Sequence, residues 1–202
     1  MESTNIAGTK ARQPNPCPWL PRTTLAWWSI AVLCALVGSA WADESVSKEY
    51  QLKAAFLYNF TKFVEWPSQS FANTDSPIVI GVLRGNPFGG ELEKAVSGRT
   101  VNGRKIVVTE VPSPAAARQT HILFVGAAQD SNLNEVKGAL NGIAVLTVGE
   151  SEAFARQGGI ITFTLQNDSL RFAINKDSAQ KAGLKISSQL QKLALKSGGS
   201  NP

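Results

Sequence analysis

Residues able to do acid–base, nucleophilic or metal chemistry are few in this 202-residue chain. There is one histidine, His121, and it opens the apolar run Ile122-Leu-Phe-Val125. That setting reads as a structural imidazole rather than a general base. Both cysteines, Cys17 and Cys34, lie within the first 42 residues. A Ser-His or Cys-His pair needs a partner this inventory does not supply, and a zinc site needs three or four His, Cys or carboxylate ligands held together. No G-x-S-x-G run is present. Gly85 and Gly90 have the spacing of a phosphate-cradling loop, but Glu91 and Leu92 stand where lysine and Ser/Thr belong. Two glutamates at a helix start suit the helix dipole and repel a phosphate. Glu91 with Glu93, and Glu150 with Glu152, read the same way, as helix-start acids. Nothing in the spacing selects an acid–base pair or implies a cofactor.

The residues best placed to bind rather than to react lie in Tyr50–Pro67, Y-Q-L-K-A-A-F-L-Y-N-F-T-K-F-V-E-W-P. Leu52, Phe56, Phe60 and Phe63 recur at steps of three and four, one face of a helix. Ala55, Leu57, Tyr58 and Val64 widen the face until most sides are apolar, which predicts a central, buried helix. Lys53, Lys62 and Glu65 interrupt the pattern too often for a membrane span. Glu49 and Lys53 form an i,i+4 pair expected on the wet side. Pro67 ends the helix. Leu52, Phe56, Phe60 and Phe63 are thus scaffold, and Tyr58, Lys62, Glu65 and Trp66 form the end where partner or ligand contact is expected.

The elements that must position this end follow in alternation. Strands are predicted at Pro77–Leu83, Lys105–Val111, Thr120–Val125 and Gly142–Val148, with helices at Glu91–Val96, Asn132–Leu140 and Glu150–Gln157. Short connections and near-continuous apolar strands argue one α/β domain, a mostly parallel sheet with helices on both faces. Gly159–Leu165 and Ser169–Asn175 alternate in polarity around Gln166-Asn-Asp168, which predicts an antiparallel hairpin at the C-terminal edge of the sheet. Helical residues then run over 177–182 and 188–195. No internal repeat and no long linker divides the chain.

The first 42 residues read as an export signal. Lys10, Arg12 and Arg22 precede the apolar run Leu25–Val37, and Ala40-Trp-Ala42 gives a small-x-small cleavage pattern. The predicted organisation is a signal peptide, 1–42, and a periplasmic domain, 43–202; a retained anchor is the alternative. The mature chain then has no disulfide, and at about 160 residues it is large enough to fold without one. Export without disulfides fits a bacterial periplasm. The whole chain carries 20 basic and 15 acidic residues. Losing the three leader cations and Glu2 leaves 17 against 14, a net +3. No basic cluster marks a nucleic-acid surface.

The segment Lys53-Ala-Ala-Phe-Leu-Tyr-Asn-Phe-Thr-Lys-Phe-Val-Glu-Trp-Pro67 resembles the opening of the YfiR-like family of periplasmic proteins. Ile78–Leu83, Asn86-Pro-Phe-Gly89, Gly103–Val108, His121–Val125, Gly158–Ile161, Leu170–Asn175 and Leu190–Leu193 continue the pattern in order. The resemblance implies a repressor that binds the periplasmic sensor region of an inner-membrane diguanylate cyclase, lowers cyclic di-GMP and opposes biofilm. It also implies a small aromatic or anionic ligand in some members, and a homodimer as a frequent assembly. This chain departs from the studied members in three places. It lacks their disulfide cysteines. It has Glu65 where they have arginine. In the C-terminal ligand run, Lys185 keeps a charge and Ser187 replaces an imidazole. Arg171, Lys185 and Ser187 therefore join the expected contact residues.

Two functions of different class follow. One is a non-enzymatic periplasmic regulator that represses a membrane signalling protein. The other is a periplasmic small-molecule-binding module serving a sensor kinase or transporter. An enzyme would have to work with scattered carboxylates.

Overall fold

The computed structural model describes residues 48–167 and 169–194; the predicted leader, Asp168 and the tail from Leu195 lie outside them. Helix α1 spans residues 48–63. Its buried stripe is Lys53, Ala54, Leu57, Phe60, Thr61 and Val64 just beyond it, again at steps of three and four. The stripe is turned by one residue from the predicted face. Leu52 is 45 % exposed, whereas Lys53 is only 3 % exposed. The lysine expected on the wet side thus faces inward. The reason is an acidic partner 97 positions away, described below.

The helix ends at residue 63 and not at Pro67 as the sequence predicts, because the chain turns extended there to pair with a later strand. Val64–Glu65 forms a short strand, β1. The sheet that follows contains β2 (Ile78–Leu83), β3 (Thr100–Val101), β4 (Arg104–Val111), β5 (Ile122–Val125), β6 (Leu146–Gly149), β7 (Ile161–Gln166) and β8 (Ser169–Ile174). Their order is β3-β4-β2-β5-β6-β7-β8. The β2–β4, β2–β5, β5–β6 and β6–β7 pairs are parallel; the β3–β4 and β7–β8 pairs are antiparallel. The mostly parallel sheet and the C-terminal edge hairpin are as the sequence predicts. The predicted link over 98–103 instead holds β3. Asn102 and Gly103 both have positive φ, 52° and 78°, the backbone of a two-residue hairpin turn.

The chain leaves β2 toward β4, then crosses back to β5 on the other side. This reversal makes the carboxyl ends of β2 and β5 a topological switch point, the usual place for a crevice in such sheets. The helices are α2 (Glu91–Val96), α3 (Leu133–Ala139), α4 (Glu152–Arg156), α5 (Lys176–Lys181) and α6 (Ser188–Leu193). Residues of α1, α2, α5 and α6 share one core with Ile80, Val82, Phe124, Val148 and Phe163. Residues of α3 and α4 share the other with Leu83, Leu123 and Val125. Strand residues alternate between these cores because side chains point to opposite faces of a strand.

The first core is aromatic. Phe60 packs on Phe163 and Phe172 with ring centroids 5.9 and 5.4 Å apart, and Phe56 meets the same two rings at 5.9 and 5.5 Å. This is what fixes α1 across the sheet. In the second core, Phe154 fills the space left by two glycines. A Cβ on Gly149 or Gly159 would overlap its ring. A last short strand, β9 (Lys185–Ile186), pairs antiparallel with β1 as a separate two-stranded sheet. Among the described residues no helix is long and apolar enough to cross a membrane.

Candidate partner- and ligand-binding surfaces

The predicted contact residues fall into three groups. Tyr58 and Lys62 lie on the outer side of α1. The Lys62 ammonium sits 4.2 Å from the Tyr58 ring centroid, and the Arg99 guanidinium 4.5 Å from it. Arg99 comes from the turn after α2, and nothing in its local sequence marked it. The two cations, Arg99 first and Lys62 second, hold the phenol below its ordinary pKa. Neither cation meets a carboxylate among the described residues. The result is a half-buried aromatic carrying two exposed cations, a surface suited to acidic or π-rich partners.

The second group is the β1–β9 ribbon. Its register places Glu65 opposite Lys185 and Val64 opposite Ile186. Glu65, which replaces the relatives' arginine, and Lys185, which keeps the charge of the C-terminal run, thus share one short sheet. Both are exposed. Ser187 closes the ribbon, its N–H donating to the Phe63 carbonyl at 2.9 Å. Its hydroxyl accepts the Leu190 N–H at 3.2 Å and caps α6. Ser187 is therefore occupied locally.

Trp66 lies behind this ribbon and is anchored. Its indole N–H donates to the His121 carbonyl at 3.0 Å, and its ring stands edge-on to the imidazole at 5.9 Å. His121 also stacks on Phe71 at 4.4 Å, and the Arg104 guanidinium lies 3.9 Å from the Phe71 centroid. The imidazole Nδ1 accepts the Val79 N–H at 3.1 Å, so Nε2 carries the proton toward the Ser70 carbonyl at 3.2 Å. Burial, aided by the Arg104 charge and opposed by the Ser70 carbonyl, lowers the pKa of His121. The structural reading of this histidine agrees with its geometry. Beside this stack is a cavity of about 440 Å³ at the amino ends of the strands, with Arg118 and Lys181 in its lining and no carboxylate among the described residues that line it.

The third group is Arg171 alone. It is exposed on β8, opposite Thr164. No hydrogen bond, ion pair or ring contact joins it to the other predicted residues among those described.

At the other end of α1 lies a cluster the sequence did not disclose. Glu150 is not a helix-start acid, because α4 begins at Glu152 and is capped by Ser151. The Glu150 carboxylate lies at the carboxyl end of β6 and reaches Lys53 Nζ at 2.5 Å. It also accepts the Tyr50 hydroxyl at 3.2 Å and the Ala127 N–H at 3.0 Å. Lys53 is shared with Glu49 and lies 4.3 Å from the Tyr50 ring centroid. Burial first, then the Glu150 charge, pushes the Tyr50 pKa up to about 12. A charge buried this deeply requires pairing, and here two carboxylates and one aromatic face supply it. Among the described residues no three His, Cys, Asp or Glu side chains could hold a metal ion.

A solved structure from Vibrio cholerae O1 biovar El Tor, described as a conserved domain protein, is similar over 58 % of this chain and 53 % of its own length. The identity is 13 % and the TM-score 0.41. The match spans about half the length of that protein. A family model described as YfiR/HmsC-like matches residues 50–195, from Tyr50 at the start of α1 past the end of α6. The chain belongs to the YfiR/HmsC-like family, a family of periplasmic regulatory proteins.

Proposed function

We propose that this protein is a non-catalytic regulator that binds the periplasmic sensor region of an inner-membrane diguanylate cyclase. By binding, it holds that enzyme inactive and lowers cyclic di-GMP. Residues 1–42 serve as its export signal. The observation that carries this reading is the family match over 50–195. It is supported by the exposed cations Lys62 and Arg99 on the half-buried Tyr58 ring and by the exposed Glu65–Lys185 pair. Aromatic and arginine side chains are the usual anchors of protein interfaces. The test is genetic. Deletion of the gene should raise cyclic di-GMP and surface attachment, and the wild-type copy should restore both. A Lys62→Glu, Arg99→Glu copy, present at equal periplasmic level, should not restore them. Unchanged cyclic di-GMP on deletion sinks the repressor reading.

The amino-end cavity favours a second reading, a module that binds a small anion for a sensor kinase or transporter. Arg118 and Lys181 would neutralise the anion beside Pro67 and His121. Thermal-shift screening against aromatic carboxylates is the check. Absence of any stabilisation at millimolar concentration removes this reading.

A further inference from the structure

His121 is the only histidine in the chain, and no part of the proposed regulation uses it. Its backbone is fixed. The N–H donates to the Val79 carbonyl at 2.8 Å, and the carbonyl accepts the Leu146 N–H at 2.8 Å and the Trp66 indole N–H at 3.0 Å. Its ring holds something less secure, the segment 68–76 that leads from the β1–β9 ribbon to β2. None of the residues in that segment is buried. The segment is held at one end by His121, through the Ser70 carbonyl and the Phe71 ring. At the other end Arg104 lies on the same Phe71 ring and donates to the Asn73 and Ser76 carbonyls at 3.0 and 2.7 Å. A segment with so few buried contacts opens at low cost.

The charges around the imidazole are of one sign. Arg104 approaches it from β4. Arg118, from the turn before β5, and Lys181, from α5, line the cavity that His121 borders, and no carboxylate is among the described residues that line it. Glu65 of β1 and Asp75 of the segment are exposed, and among the described residues no contact joins either to the ring. A proton on Nδ1 would face the Val79 N–H, donor against donor, and leave that N–H without its acceptor. It would also place a second cation on the Phe71 ring, which already carries Arg104. The lowered pKa of His121, with burial as its first cause, expresses the same preference for the neutral ring.

We propose that the His121 imidazole is an acid-released latch: once protonated it leaves the Val79 N–H, the segment 68–76 opens from the sheet, and Trp66 loses the ring that backs it at the end of the β1–β9 ribbon. Histidine is the side chain suited to such a switch. The latch rests on contacts within this chain. Only its use, to disturb Glu65 and Lys185 in acid, rests on the regulatory reading above.

The test follows the untagged protein by NMR from about pH 8 down to the onset of acid unfolding. With one histidine in the chain, the imidazole signal needs no further assignment, and its midpoint should lie below 6.5. Amide exchange over 69–76, corrected for its intrinsic pH dependence, should begin to quicken below pH 6.5. It should rise about tenfold, the scale of one hydrogen bond, while Leu123 and Phe124 in β5 stay protected. The Trp66 indole signal, assigned with a Trp66→Phe variant, should shift over the same range. His121→Asn keeps an acceptor toward the Val79 N–H and cannot titrate, so its segment should stay closed in acid; the wild-type titration decides alone if that variant does not fold. A midpoint at or above 6.5, a ring that titrates while the segment stays closed, quickened exchange in β5 at the same pH, or equal acid opening in folded His121→Asn each overturns the latch. Unchanged cyclic di-GMP on deletion of the gene does not, so the two readings fail separately.

Discussion

Replacing Glu150 with leucine leaves the Lys53 ammonium 3 % exposed with one carboxylate instead of two. Removing one partner of a buried ion pair costs about 3–5 kcal/mol. The remaining Glu49 is 28 % exposed, and such a pair offsets at most about 1 kcal/mol. Tyr50 also loses its acceptor, a loss of about 1 kcal/mol. The exposed Ala127 N–H turns to water instead. The net expectation for Glu150→Leu is a destabilisation of about 3–5 kcal/mol. For a chain of this size that lowers Tm by roughly 6–20 °C. Lys53→Met should cost less, about 1–2 kcal/mol, because Glu150 keeps its two other donors and is 12 % exposed. The double variant Lys53→Met, Glu150→Leu should be more stable than the sum of the singles implies, by at least about 1.5 kcal/mol, since it buries no unpaired charge. Urea unfolding of the four proteins, read by circular dichroism, measures the cycle. Additivity within about 0.5 kcal/mol would refute the pairing as the reason Lys53 is buried.

Three further outcomes follow from the same structure. Leu57→Ala should cost about 2–5 kcal/mol in urea unfolding, against less than about 0.5 kcal/mol for Leu52→Ala; equal costs would mean that α1 faces the core as the sequence pattern alone suggested. The pKa of His121 is lower folded than unfolded, so between pH 6.5 and that lowered value the unfolded chain binds the extra proton. Stability is then full above pH 6.5 and falls as pH drops through this window; a His121→Gln variant should show a flatter pH dependence of Tm there, and an unchanged slope would count against the assignment. Gly159→Ala should cost about 1–3 kcal/mol by forcing the Phe154 ring aside, and Phe154→Leu in the same chain should make that alanine cheaper, both read from thermal melts.

The alternation of strands and helices was legible because each element is long enough to carry its own period. β2 and β5 read as apolar runs, and the β7–β8 hairpin reads from its polarity around Asn167. β1 and β9 were not legible, since two residues carry no period and pair only because α1 and α6 hold them together. The rotation of α1 was missed for a different reason. A hydrophobic pattern counts Lys53 as polar and Leu52 as apolar, and the acid that turns Lys53 inward is at position 150. Among the candidate contacts, the Glu65–Lys185 meeting is a consequence of that same unseen ribbon. Arg99 has no distinguishing neighbours in sequence and reaches Tyr58 only through the placement of the turn after α2.

Phe154 and its two glycines have a consequence for how this chain can change over generations. The ring occupies the volume that side chains at positions 149 and 159 would take. The three positions therefore behave as one inherited character, and sterics sets the order of events within it. A lineage that shrinks the ring first leaves both glycines free to vary afterwards. A lineage that gains a side chain at either glycine first must pass through a destabilised ancestor. Among descendants of this chain, alanine at 149 or 159 should therefore be found where 154 is already small.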